Sequence, residues 1–125
     1  MDYAPDPTVE LIIGCAIEVH RALGPGLLES VYQRCLGYEL MLRCVPFAQQ
    51  VPLPVVYKDM PTDCGYRLDF VIAGTVIVEV KCVDRLLPIH TAQLLTYLKL
   101  FPARRGLLIN FNVPRLVDGV QSLLR

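Results

Sequence analysis

The chain has 125 residues, 54% of them hydrophobic and 19% charged, which is enough apolar material for a buried core and too much for a disordered segment. Twelve Lys and Arg balance twelve Asp and Glu, so no global positive field draws in a polyanion, and any grip on nucleic acid has to come from a local cluster. No apolar run approaches the roughly 18–20 residues that cross a bilayer, and the N-terminal MDYAPDP lacks the basic and apolar regions of a signal peptide, so the expectation is a cytoplasmic protein with no membrane partner.

A length of 125 residues suits one domain, 1–125, with 1–6 as a short N-terminal tail. Asp6 before Pro7 is a good N-cap followed by proline at the first helical position, and Leu11, Cys15, Val19 and Ala22 recur at helical spacing, so a first helix should run to about Leu23. Gly24-Pro25-Gly26 stops it. A second helix follows from Leu27 to about Cys44, with Leu28, Val31, Cys35 and Leu42 on one side. The period then shortens. Phe47–Tyr57, Tyr66–Ile72 and Val76–Cys82 are β-branched and aromatic with turn residues between them, and read as a three-stranded meander. Pro52 and Pro54 lie two apart, so both missing N–H groups face the same neighbour, and the first strand has to be an edge strand or a broken one. Helical spacing returns over Leu87–Phe101, Arg105–Phe111 reads as a short buried strand, and Pro114–Leu124 as a last helix. The order ααβββαβα describes an α/β fold, a central mixed β-sheet flanked by helices. The five cysteines, Cys15, Cys35, Cys44, Cys64 and Cys82, are odd in number and never in a C-x-x-C pair, so buried thiols in a reducing compartment are expected instead of disulfides or zinc.

Apart from Arg67, the only charged residues of the second and third strands are Asp69, Glu79 and Lys81. Glu79 and Lys81 are two apart and share a face. Asp69 joins them only if Ile72 faces Val76, leaving Ala73-Gly74-Thr75 as a three-residue loop with Gly74 in the left-handed position; a two-residue turn would send Asp69 and Glu79 to opposite faces. Two adjacent carboxylates repel, a conflict that a divalent cation removes, and hard oxygen donors at this spacing suit Mg²⁺ or Mn²⁺. With a lysine to orient or deprotonate water or to offset charge on a phosphate, this is equipment for metal-assisted phosphodiester hydrolysis. From spacing alone, a solvated strand face with a cross-strand ion pair remains the competing reading. On the following helix His90, Gln93 and Tyr97 form one polar stripe, which is either its solvent side or a second wall of the site.

The run His20, Leu23, Gly24, Gly26, Glu29, Tyr32 resembles the signature of the GxxExxY protein family, within the PD-(D/E)XK nuclease superfamily. The resemblance extends from about Leu11 to Arg115 through QVPLPVVYK, YRLDFVIAGTVIVEVK, HTAQLLTYL and GLLINFNVPRL. It implies a restriction-endonuclease-like core and a metal-dependent nuclease acting on nucleic acid, DNA in first place. Asp69, Glu79 and Lys81 match the acidic residue and the E-x-K of the two core strands, Glu29 supports the metal site, and Gln93 and Tyr97 match a Q-x-x-x-Y. Leu68 stands where the name motif has proline. Without the resemblance, Glu29 is a carboxylate at a helix N-terminus, worth about 0.3–1 kcal/mol, and Tyr32 a core aromatic. With it, Glu29 takes a role in the site through a water or a hydrogen bond, and Tyr32 packs or positions. His20 and His90 stay open between structural histidines and outer donors to the site.

Two further readings compete or combine with this one. The small size and neutral charge also suit a nuclease-like fold that serves as a non-catalytic binding or regulatory module. The abundance of Leu, Val and Ile leaves room for an apolar patch and a homodimer.

Overall fold

A computed structural model describes residues 6–63 and 65–125. The expected N-terminal tail lies, apart from Asp6, outside the described residues, as does Cys64. Asp6 caps the first helix, its carboxylate accepting from the backbone N–H groups of Thr8 at 2.9 Å and Val9 at 3.2 Å. That satisfies two of the free donors at a helix start. Helix α1 spans Pro7–Leu23 and buries Ile12, Cys15, Ala16 and Val19; α2 spans Glu29–Leu42 and buries Tyr32, Leu36 and Leu40.

The first strand is both an edge and a broken one. Strand β1 covers Phe47–Pro52 and ends at the first proline, while Val56–Tyr57 and Met60–Pro61 form β2 and β3, a separate two-stranded ribbon. Strands β4 (Arg67–Ile72) and β5 (Val76–Lys81) complete the expected meander. Helix α3, Pro88–Leu100, then carries the chain across to β6, Arg105–Asn110, which runs parallel to β5. The last segment departs from expectation. Pro114–Leu124 is not a helix: Leu116–Gly119 is a 3₁₀ turn, and Val120–Leu124 is strand β7, antiparallel to β6. The free edge of β6 carries main-chain donors and acceptors that need partners, and pairing there outweighs the weak helical spacing of this stretch. Gly119 marks the junction, since a Cβ at that position would lie 2.2 Å from the Asn110 carbonyl oxygen.

The result is a five-stranded mixed sheet in the order β1-β4-β5-β6-β7 with helices on both faces, consistent with a restriction-endonuclease-like fold. Along β5, β6 and the turn end of β4, successive side chains enter different cores. Phe70, Ile72, Val76, Val78 and Val80 pack with α1 and α2, whereas Val71, Ile77 and Leu108 pack with Leu94, Tyr97 and Leu98 of α3. Of the described cysteines, all free, Cys15 is buried, Cys35 and Cys82 are half-buried and Cys44 is exposed. Among the described residues no helix is long and apolar enough to cross a membrane.

Candidate active site

The geometry turns on the β4–β5 hairpin. Ile72 faces Val76, Val71 faces Ile77 and Phe70 faces Val78, so the loop is Ala73-Gly74-Thr75. Gly74 has φ 70° as that loop requires, and Ala73 shares the left-handed conformation at φ 52°. Continuing this register places Asp69 opposite Glu79.

There the main-chain ladder gives way to side chains. The Asp69 backbone N–H donates to Glu79 Oε2 at 2.8 Å, and the Val80 N–H donates to Asp69 Oδ2 at 2.8 Å. The strands are thus latched by two carboxylates, each committing an oxygen to a backbone amide and each forced close to the other. Glu79 is only 5% exposed, and burial followed by the charge of Asp69 pushes its pKa up to about 8. Burial raises Asp69 as well, opposed by the Val80 amide, Lys81 and a hydrogen bond from Gln33. Lys81, half-buried at the end of β5, makes no close ion pair among the described residues, yet its charge reaches Glu29, Asp69 and Glu79.

Glu29 is delivered by the loop before α2. The Tyr32 hydroxyl donates to the Gly24 carbonyl and accepts from the Leu27 N–H at 3.2 Å, while its ring stacks on Phe111 with centroids 4.6 Å apart. One fully buried tyrosine therefore anchors the glycine loop to the core, and the next residue but one after Leu27 opens the helix with its carboxylate toward the hairpin. Although Glu29 is exposed overall, partial burial of its carboxylate and the charge of Asp69 raise its pKa, while Lys81 and Gln33 pull it down. Gln33, one turn further along α2, accepts from Gln50 Nε2 at 2.9 Å, and its amide lowers the pKa of both Glu29 and Asp69. No three His, Cys, Asp or Glu side chains among the described residues are close enough to hold a metal ion together. Asp69 and Glu79 form the tight pair; Glu29 stands off, in reach of the Asp69 and Lys81 charges.

Helix α3 supplies the other wall. Tyr97 is 7% exposed, and its pKa is raised by burial, then by Glu79, Tyr66 and Asp69. Gln93 lies one turn before it, half-buried, on the same cleft. A separate cavity of about 550 Å³ between α1 and α2, lined in part by Val19, Leu23, Tyr38, Met41 and Phe47, contains none of these carboxylates.

A family model described as the PD-(D/E)XK nuclease superfamily matches residues 6–123. The chain belongs to this superfamily. No curated protein and no solved structure matches it. Membership points to nuclease activity and to a nucleic-acid substrate, and nucleases of this superfamily typically use divalent metals.

In this superfamily member both histidines have structural partners. His20 Nε2 lies 2.8 Å from the Val113 carbonyl oxygen, and His90 Nδ1 accepts from the Leu87 N–H at the start of α3. Burial, and then Glu29, pushes the Cys82 thiol up to about 11, which disfavours the thiolate and any nucleophilic use. Three residues of the site are not singled out by the sequence. Gln33 could have been found as the residue four after Glu29, on the same helix face. Gln50 could not: it occupies the position opposite Asp69 on β1 with φ 52°, and the β1–β4 pairing passes from Gln49–Phe70 to Val51–Leu68 without it. Asn110, the lone polar residue of GLLIN and only 1% exposed, accepts from the Val83 and Asn112 N–H groups and donates to the Val83 carbonyl, clamping the chain just after Lys81.

Proposed function

We propose that the protein is a metal-dependent nuclease that hydrolyses phosphodiester bonds in nucleic acid, DNA in first place. The observation that carries this reading is the pair of carboxylates, Asp69 and Glu79, latched across the open end of the hairpin within reach of the Lys81 charge. The donor set fits a hard dication such as Mg²⁺ or Mn²⁺. Two ionised carboxylates in a buried site disfavour each other, and Mg²⁺ is usually bound by one or two carboxylates, with water and substrate oxygens doing the rest. Asp69 and Glu79 would hold the ion, which supplies Lewis-acid polarisation of the scissile phosphate and increases the acidity of the attacking water.

The other residues act on the substrate and on the acids. Lys81 orients the attacking water and offsets the charge that builds on the phosphate. Glu29 acts at one remove, through the Gln33 amide or a water, and keeps Asp69 in place. Gln93 and Tyr97 form the wall against which the substrate is set. The test is incubation with labelled DNA and RNA, single- and double-stranded, with Mg²⁺ or Mn²⁺. Cleavage is expected from the parent protein and not from Asp69→Ala or Lys81→Ala; activity unchanged in either variant refutes the assignment.

A second reading, a non-catalytic binding or regulatory module, draws on the stand-off of Glu29 from the other two acids. Calorimetric titration with Mn²⁺ separates the two: micromolar binding lost in Glu79→Ala supports the enzyme, and no binding at millimolar metal supports the module. We further propose that the α1–α2 side, with Tyr38, Met41 and Leu42 more than half exposed, is where a homodimer forms. Sedimentation showing only monomer at tens of micromolar removes that element.

A further inference from the structure

We propose that the cleft beside Tyr97 is a seat for one unstacked nucleobase, so that the protein takes its substrate as single-stranded nucleic acid and not as continuous duplex. The proposal rests on the nuclease reading above and adds a substrate class to it. The cleft has a volume of about 260 Å³; Leu53, Val55 and Leu100 give it apolar surface, and Tyr66 and Tyr97 are its aromatic walls, their rings 6.4 Å apart and inclined at 59°. Tyr97 is buried and packs with Leu68 and Ile77 of the hairpin strands, and Tyr66 immediately precedes β4, three residues before Asp69, so the cleft lies at the open end of the hairpin that carries the carboxylates. Tyr66 is 48% exposed.

The polar groups of the cleft are few and uncharged. The Thr96 hydroxyl is spent on the Ala92 carbonyl within its own helix. The Gln93 carboxamide has no hydrogen-bond partner among the described residues, which leaves a donor and an acceptor directed to the cleft from a half-buried position. An apolar slot with aromatic walls and one free amide matches a flat ring with a hydrogen-bonding edge. It does not match a phosphate, because no cation lines it. Backbone phosphates therefore belong on the carboxylate side and the base on the tyrosine side. In a duplex both faces of a base are covered by its neighbours, so such a slot is reached only by a single strand, an end or a flipped nucleotide. Zero net charge points the same way: duplex binding depends on neutralising phosphates, whereas stacking on tyrosine does not.

The test uses full-length protein carrying Asp69→Asn, which keeps the substrate intact, with Mg²⁺ present. Fluorescence anisotropy compares a labelled single-stranded oligonucleotide with a blunt duplex at one salt concentration. Single strands should bind at least about 10-fold tighter, Tyr66→Ala should lose about 10- to 100-fold of that affinity, and Tyr66→Phe should stay within about twofold. An abasic site moved along the oligonucleotide should reveal one position whose base matters as much as Tyr66 does, and that sensitivity should vanish in Tyr66→Ala. Duplex bound as tightly as single strand, or full affinity in Tyr66→Ala, overturns the proposal. Should Tyr66→Ala not fold, the abasic walk on protein with Tyr66 intact decides, and the absence of any sensitive position overturns it. The nuclease reading fails separately: neither form of nucleic acid bound sinks both, while cleavage that still depends on Asp69 with Tyr66→Ala neutral sinks the base seat alone.

Discussion

The two ends of the β4–β5 hairpin are built from the same two strands and satisfy their backbone in different ways. At the turn end Phe70, Val71, Ile72, Val76, Ile77 and Val78 are all buried and paired across a regular ladder. At the open end the ladder stops, and the carboxylates of Asp69 and Glu79 accept the amide protons. The turn end gains from apolar burial. The open end places two acids where neither is comfortable ionised, and a network of Gln33, Gln50 and Lys81 partly offsets that cost. One hairpin thus holds a stabilising end and a strained, chemically poised end, a distribution expected of functional sites.

The two ends should differ most when the acids are removed. Asp69→Ala and Glu79→Ala should each lower Mg²⁺-dependent cleavage by roughly 10³-fold or more, a size typical of removing a principal electrostatic group, as read from single-turnover rates. Glu79→Ala should nevertheless leave a folded protein. At the other end the expected effects are reversed: Phe70→Ala should cost about 3–5 kcal/mol in urea unfolding, because it empties a fully buried site between β4 and the α1–α2 face.

Acidity sharpens the contrast. The folded pKa of Glu79 lies near 8, above its ordinary value of 4.5. The folded state therefore binds the proton more tightly than the unfolded chain does. Its contribution to stability is full below about pH 4.5, declines above that and is lost as pH rises through about 8, with Asp69 shifted in the same direction. The metal-free protein should lose on the order of a few kcal/mol between about pH 5 and pH 9. Melting curves should show this slope in the parent and a flatter one in Glu79→Gln. Mg²⁺ or Mn²⁺ should restore stability at the alkaline end by mass action, since it favours the ionised pair. Equal slopes in the parent and Glu79→Gln would remove the cause assigned here. The smallest effect belongs to the loop that carries Glu29. Tyr32→Phe keeps the stack on Phe111 and removes the bonds to Gly24 and Leu27, so it should cost about 1 kcal/mol of stability and a few-fold in cleavage rate.

Much of this architecture was legible because it depends on local rules. Asp6 and Pro7 announce α1, Pro52 ends an edge strand, and the three residues between Ile72 and Val76 set the register that brings Asp69 and Glu79 together. The final strand was not legible. Val120–Leu124 has no strong alternation, and it became a strand only because β6 had an edge to fill; Gly119 was the available warning.

The sequence by itself determined which residues could carry charge into the sheet and which face they would share, because strand periodicity and hairpin register are properties of short segments. Only the tertiary structure decided how those charges are held. The Gln33–Gln50 bond between α2 and β1, the left-handed Gln50 opposite Asp69, the Asn110 clamp beside Lys81 and the tyrosine-walled cleft of α3 all join residues from separate elements. The reason is physical: a buried carboxylate is governed by every donor and charge that packing brings within a few ångströms, and packing is a property of the whole chain.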